Sequence, residues 1–481
     1  MSHQDFLNYM SPFFKSTGGF EEFSASINTP LLKSFSCVQS RGKVSDTIAR
    51  LRAQGYSVQV SEYNPLNYKV EKEEEIAWNA KTIALGKTPE HILGQIYIQE
   101  TAASLPASII PLPAKGNILD MCAAPGGKTT QLADRCKLMG SQATIWANEP
   151  DGKRIIPLAS NLTRTGMENV VTIQHDGGNF GNHAPEFFDS ILLDAPCSGE
   201  GTGFKSDFGT KFWDIRKVES IAKVQQQLLI SAFKACKVGG SILYSTCTSN
   251  PLENEVNVQL LLDKYGDKLE LQEIKIDWLS AGLEGFGEVS KFSKRLRPHL
   301  HHTWGFFMCL MKKTSALEET FNQVRYKQKE KWVLKPKFIA CDRKIISQWL
   351  ADNFQITVPD HIQFSQSQNQ IYAHNTLDFA QLNRFKIDKP GILVIKGDKP
   401  SSWRVTHGAG LIFDFAPSYQ IQLNEEQIHN HINQQDIDLE PEQIPSSLSP
   451  THYVQLLYER NKAGVGKIIW TNIKNKLTGV F

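Results

Sequence analysis

Two of the eight cysteines in this chain stand where a thiol could react. Cys197 lies in LLDAPCSGEGT and Cys247 in LYSTCTSNPLENE, each directly after an apolar run that reads as a strand. Both are set among Pro, Ser, Gly and Thr, the composition of a functional turn rather than of packed interior. A cysteine considered alone is more often a small buried hydrophobe. That reading suits Cys136, Cys236 and Cys309, which fall inside helical or strand patterns. A reactive thiol near its ordinary pKa is only a few per cent ionised at neutral pH, so its site must lower that value or supply a base. Asp194, just before Pro196 at the same strand end as Cys197, is placed to hydrogen-bond a substrate ring edge and stabilise charge developing there. No CxxC pair occurs, so neither a bound metal nor a disulfide scaffold is expected.

A second constellation precedes these. LDMCAAPGGKTTQLA joins an apolar strand to a turn of small residues and then a helix, letting a ligand approach the backbone at a helix N-terminus. Gly126 and Gly127 make that approach possible. GGKT resembles a phosphate loop, but GxxxxGK[ST] requires glycine where Cys122 stands. Glu149 ends the next strand and is placed to accept hydrogen bonds from ribose hydroxyls, and Asp176 follows the strand after that, in QHDGG. Each carboxylate could instead cap the turn behind it, with Asp151 a credible cap beside Glu149. Acidic residues at successive strand ends favour an adenosyl ligand. One chemistry that needs both constellations is methylation of carbon 5 of cytosine. That carbon is a poor nucleophile until a thiolate adds to carbon 6, and a base must then remove the carbon 5 proton. Residue chemistry alone does not order the two cysteines as nucleophile and helper.

The elements that must position these residues follow an alternating rhythm. Strands are expected at 117–121, 144–148, 170–174, 190–195 and 241–246, with helices from Gly127, from Asp151 and from about Glu219 to just before VGG. This is an α/β pattern with a parallel, Rossmann-like sheet. The chain has 481 residues, enough for a core with appended modules. We expect a small N-terminal α+β module over 1–100, the core over 101–313, an intermediate segment over 314–387 and a β-rich domain over 388–481. The acidic run at 71–75 reads as a solvated loop or helix end, and the Lys-, Gln- and Glu-rich stretch 313–331 as a linker.

Composition excludes little. Hydrophobic residues at 41% and charged residues at 21% are ordinary for a globular protein, no apolar run reaches membrane-span length, and no secretory leader is evident, so the cytoplasm is the expected compartment. A formal net charge of +2 does not announce a nucleic-acid partner, so any such surface must come from local clusters. The densest is KFSKRLRPH, with Lys291, Lys294, Arg295, Arg297 and His299; a second gathers Trp403, Arg404, Lys467, Trp470, Lys474 and Lys476. His301 and His302 read as ordinary turn residues.

The motifs GQIYIQETAASLP, DMCAAPGGKTTQ, ANEP, HDG, LLDAPCSGEGT, YSTCTSNPLENE and RPHLHHTWGFFMCLMKK resemble the bacterial members of the NOL1/NOP2/Sun group of RNA cytosine-C5 methyltransferases, over nearly the whole chain. The resemblance implies that S-adenosylmethionine is the methyl donor and that Cys122, Ala123, Ala124, Pro125, Gly126, Gly127, Lys128, Glu149, Asp176 and Asp194 line its site. It makes Cys247 the nucleophile and Cys197 the residue assisting product release, with Lys128 orienting Asp194 or the donor's carboxylate. It also implies a C-terminal PUA-like RNA-binding domain, and a monomer acting on 16S ribosomal RNA near the decoding region within the small subunit. Cys122 departs from alanine-like residues that also serve at its position, and packing is its expected role. Two rivals remain: an enzyme methylating a small molecule or protein, which does not account for two strand-end cysteines, and a silent RNA-binding scaffold, against which intact Asp194, Cys197 and Cys247 argue.

Overall fold

In the computed structural model, residues 3–14, 19–27, 29, 31–72, 84–205, 213–317, 337–375, 385–446, 448, 452–469 and 471–474 are described, and they form four sheets. The largest contains five parallel strands in the spatial order Val170–Ile173, Thr144–Asn148, Asn117–Asp120, Phe188–Asp194 and Cys236–Thr246. Chain order runs outward one way from Asn117–Asp120 and then restarts on its other side, so the carboxyl ends of Asn117–Asp120 and Phe188–Asp194 flank the crevice where open α/β sheets bind ligands. Strand Phe306–Lys313 continues the sheet antiparallel to Cys236–Thr246.

Alternation along each strand sorts the core into two layers. Ile118, Ile145, Leu192 and Leu243 pack beneath helices Thr101–Ile109, Gly127–Leu138 and Ile155–Arg164, while Leu119, Trp146, Ile191 and Tyr244 face helix Ile215–Ala235. The expected strands are all present, the fourth and fifth starting earlier than read. Two helix starts differ. The one expected from Asp151 begins at Ile155, and the one expected from about Glu219 begins at Ile215, because the Asp214 side chain accepts from Arg216 N at 2.9 Å and caps it.

Upstream, an antiparallel sheet in the order Tyr56–Ser61, Asn64–Lys72, Lys33–Cys37 and Ile96–Ile98 packs on helix Val44–Ala53. The first two helices, His3–Met10 and Phe20–Ser26, do not join it; Phe6, Phe14 and Phe23 pack with Trp213 and Val218 on the core. The acidic run 71–75 lies outside the described residues from 73 onward, as does the linker from 318.

Downstream, one five-stranded sheet combines Ile339–Ala340, Gln363–Ser367, Gln370–His374, Ile392–Lys396 and Arg404–Val405, and a second runs from Gln420 to Lys474. A module boundary at 388 is therefore corrected: it divides the first of these sheets. It also cuts strand Ile387–Lys389, which pairs antiparallel with Val170–Ile173 and belongs to the core sheet. Phe385 anchors this return, lying 5.2 Å from the Trp146 ring and 5.6 Å from that of Phe180.

Arg41 ties three parts together. Its guanidinium is buried and donates to Leu93 O at 3.2 Å, Leu411 O at 2.8 Å and Lys462 O at 2.9 Å. Burial pulls its pKa down to about 10 against the opposing charge of Glu168, and the buried cation spends its donors on these carbonyls. Arg41→Ala should lower unfolding free energy by about 3 kcal/mol, since it leaves buried carbonyls without donors and opens a cavity. A urea midpoint unchanged from the parent protein would show that the junction does not depend on Arg41.

Candidate active site

The loop after Asn117–Asp120 is built by close approach. Gly126 takes φ +110°, and a Cβ on Gly127 would lie 2.5 Å from Gln99 Oε1 and 2.9 Å from Tyr97 Cε1. Tyr97 Oη and Asn161 Nδ2 both donate to Pro125 O, at 3.1 and 2.9 Å, and the Ala124–Pro125 peptide is cis. Ala123 N donates to Asn148 O at 2.8 Å, fixing the loop to the neighbouring strand end. Beneath it Asp120 is buried; Oδ2 accepts from Thr129 Oγ1 at 2.7 Å, while Oδ1 has no partner. Burial pushes the Asp120 carboxyl up to about 6, against the opposing pull of Thr129 and Lys128. Cys122 stays a thiol, raised by burial and by the carboxylates of Asp120, Asp194 and Glu149.

Glu149 is buried, accepts from Asp151 N at 3.0 Å and meets Arg154 at 3.2 Å. Asp176 is exposed and caps its own turn, accepting from Gly178 N at 3.0 Å and Asn179 Nδ2 at 2.8 Å. Glu149 thus points inward at the strand end, whereas Asp176 performs the capping role that its sequence also allowed.

The reactive cysteines meet. Cys197 Sγ and Cys247 Sγ are 3.2 Å apart, both half-buried and free. Their strands are parallel neighbours with Asp194 opposite Ser245, so the two loops leave the sheet at the same level. Ser245 Oγ donates to Asp194 Oδ1 at 2.8 Å, and Lys128 Nζ pairs with Asp194 Oδ2 at 2.7 Å. Burial alone would lower Lys128, but Asp194, Cys247 and Asp120 outweigh it and hold the ammonium above its ordinary value. The Cys197 thiol is raised well above its ordinary value, first by its hydrogen bond with Cys247, then by burial and the charges of Cys247, Glu253 and Asp194. Cys136, Cys236 and Cys309 are fully buried.

Sequence reasoning missed the polar bed beneath the pair. Glu253 accepts from Ser198 N at 3.0 Å and Gln225 Nε2 at 2.7 Å, and Glu200 accepts from Trp213 Nε1 at 2.8 Å. The run of polar residues in NPLENE, right after Cys247, was the available signal. Glu100 was missed too: it caps helix Thr101–Ile109 through Ala102 N at 2.7 Å and is pushed up by burial to about 7.

The basic cluster is dispersed rather than presented as one face. Arg295 is buried in a bidentate pair with Glu255, at 2.7 and 2.6 Å, within strand Lys294–Leu296, where Leu296 is buried as well. His299 packs against Phe14 and Phe23 and is lowered by burial to about 4. Lys291 is exposed and Lys294 partly so. Trp403 lies against Trp349 at 5.5 Å within a hydrophobic cluster, while Arg404 and Lys474 are exposed and Lys467 is partly buried over Tyr453. Trp470 and Lys476 lie outside the described residues.

Because the folded Asp120 carboxyl titrates above its ordinary range, its stabilising protonated form is complete below about pH 4 and is lost as pH rises through about 6. Asp120→Asn should therefore gain relative to the parent by about 2–3 kcal/mol between about pH 4 and pH 7 in urea unfolding. A constant difference across that window would rule out the raised carboxyl.

A family model described as 16S rRNA methyltransferase RsmB/F matches residues 108–312. Ribosomal RNA small subunit methyltransferase F of Aeromonas salmonicida is 30% identical, covering 98% of this chain and 95% of the relative; that of Photobacterium profundum is 31% identical, over 95% and 92%. Among solved structures, a methyltransferase homolog from Pyrococcus horikoshii aligns at TM-score 0.54 with 29% identity, covering 63% of this chain and 94% of that one. NSun6 from Pyrococcus horikoshii, solved with SFG, aligns at TM-score 0.54 with 21% identity over 64% and 97%, a likeness of fold. With relatives matched over nearly their full length, a Rossmann-like core and two free cysteines at the sheet's switch point, the chain belongs to the ribosomal RNA small subunit methyltransferase F family.

Proposed function

We propose that this protein methylates carbon 5 of one cytosine in 16S ribosomal RNA, in the decoding region of the small subunit, through a covalent adduct on Cys247. The observation that carries the reading is the 3.2 Å approach of Cys197 and Cys247 beside the Lys128–Asp194 pair. The methyl donor is S-adenosylmethionine, which supplies an electrophilic methyl on a sulfonium. The residues fit such a donor: Gly126 and Gly127 let the loop backbone pack tightly on Tyr97, Gln99 and Leu158 at the start of a helix, Glu149 lies buried at the adjoining strand end, and Asp120 Oδ1 is an unpartnered acceptor beneath the loop.

Cys247 adds as thiolate to carbon 6 of the cytosine, and the electron pair displaced to carbon 5 takes the methyl, leaving the donor as a thioether. Asp194, held between Lys128 and Ser245, steadies the ring edge during addition. The carbon 5 proton must then go to a base, after which the pair left on carbon 5 re-forms the ring double bond and expels Cys247. The first cause of the raised Cys197 pKa is its bond to Cys247, and that cause ends once Cys247 Sγ is bonded to carbon 6. Cys197 thereby becomes easier to ionise when a base is needed. Cys247 as nucleophile and Cys197 as the residue of release follow the order that the family resemblance implies.

The target base must leave its stack to expose carbon 6, so RNA has to be gripped beyond the crevice. Lys291, Lys294, Arg404 and Lys474 are the available phosphate contacts, and we read the two downstream sheets as the RNA-recognition part, PUA-like in the last, of a cytoplasmic monomer.

Mapping of 5-methylcytosine by mass spectrometry, after incubating small subunits lacking the modification with protein and donor, should find a single methylated cytosine. Cys247→Ala should lower that transfer at least about a thousandfold, and normal turnover would remove it as nucleophile. With Cys197→Ser a protein–RNA adduct should persist on a denaturing gel, whereas free protein alone would end the release role.

A further inference from the structure

Each reactive cysteine is followed by a hydroxyl residue, Ser198 after Cys197 and Thr248 after Cys247, and the two hydroxyl oxygens are 3.2 Å apart. Ser198 Oγ also contacts Glu253 Oε1, and Thr248 Oγ1 contacts Glu200 Oε2, both closely. The result is a linear chain, Glu253, Ser198, Thr248, Glu200, whose carboxylates are 0% and 2% exposed. Three oxygen–oxygen contacts need three protons between them, but the hydroxyls bring one each. The missing proton has to sit on a carboxyl.

We infer that Glu200 and Glu253 share one proton through Ser198 and Thr248, and that this closed chain is a positioning device holding the Cys197 and Cys247 loops at reacting distance. The inference rests on the covalent reading of the site. Donors decide where the proton resides. Glu253 takes Ser198 N and Gln225 Nε2 in addition to the chain, while Glu200 takes Trp213 Nε1. Glu253, with more donors aimed at it, is the anion, and Glu200 carries the proton and donates to Thr248, Thr248 to Ser198, and Ser198 to Glu253. Thr248 Oγ1 accepts Asn250 N at 3.2 Å in the same arrangement, so every group in the chain is satisfied.

Neither carboxylate makes an ion pair with a described residue. The titratable groups facing the pair are Tyr9 on the first helix, Tyr244 on the fifth parallel strand and Cys197 itself; Glu219 reaches Tyr9 from the helix behind. Arg295, which donates to Ser249 O at 3.0 Å, is taken up by Glu255, no cation among the described residues forms an ion pair with either carboxylate, and burial followed by Glu253 pushes Glu200 up to about 7. Loss of the proton at higher pH would break one contact and set two buried anions against each other, loosening both loops together.

E200Q tests this, because its amide supplies the donor to Thr248 permanently while its oxygen still accepts from Trp213. The ratio of variant to parent kcat should climb about fivefold or more between about pH 6 and pH 9 as the parent loses its proton. Infrared spectra of the protein without substrate should show a protonated-carboxyl stretch in the parent near pH 6 that E200Q lacks. If E200Q does not fold, Glu253→Gln feeds the same proton from the other end and the same readouts apply. A pH-independent ratio, or no difference in the carboxyl band, overturns the shared proton. The band changing as expected in a protein that methylates no RNA would sustain the shared proton and discard the reaction assigned to the site.

Discussion

The register between strands Phe188–Asp194 and Cys236–Thr246 governs the site. Leu193 lies opposite Tyr244 and Asp194 opposite Ser245, and Ala195 N then donates to Ser245 O at 2.9 Å. In a parallel pair a slip of one residue would turn every side chain to the other face. Asp194 would leave the crevice, the loops bearing Cys197 and Cys247 would depart at different heights, and the sulfurs could not meet. The alternation of Leu192 and Leu243 into one layer with Ile191, Leu193 and Tyr244 into the other is what forbids that slip, so core packing sets the distance between two reactive atoms.

Charge in the site is arranged unevenly. Asp194 has Lys128 at 2.7 Å, while the carboxylates beneath the cysteines have amides, an indole and hydroxyls but no cation among the described residues. The first arrangement is a charge-assisted pair held at the mouth of the crevice. The second favours a single charge spread over a hydrogen-bonded bed, which fixes backbone without adding a strong field at the sulfurs. Gly201 is part of the same construction: its N donates to Cys247 O at 3.2 Å, and a Cβ there would lie 2.3 Å from Gly305 O. Three loops from distant parts of the chain are packed backbone to backbone at this point.

What could be read from the sequence was what is local or strictly periodic. The five parallel strands, the glycine turn at 126–127 and the strand-end placement of Cys197 and Cys247 all follow from short stretches whose composition and alternation are self-sufficient. Asp176 remained ambiguous because capping and ligand binding ask the same of a carboxylate at a strand end. Arg295 was misjudged because a charge run read along the chain does not reveal that this strand is covered and that Glu255, from a distant helix, meets Arg295 there. Trp403 likewise belongs to a core that only the fold assembles. The polar run NPLENE hinted at the bed of Glu200 and Glu253, but its assembly could not be read because it joins loops that become neighbours only through strand pairing. The boundary at 388 was misplaced because a strand of only Ile387–Lys389 has too few residues to declare a period.

That short strand has a wider consequence. The core sheet would otherwise end at Val170–Ile173 with a free row of backbone donors and acceptors, and it is a segment from far downstream that occupies them, locked by Phe385 among Trp146, Phe180 and Phe188. An uncovered edge of this kind is a template for joining other chains. The region shared with the shorter Pyrococcus horikoshii homolog is therefore not, in this chain, a unit to which domains were simply attached. The downstream region completes the core sheet by backbone pairing and by the Phe385 ring cluster, so removing it would uncover a strand edge and part of the core together.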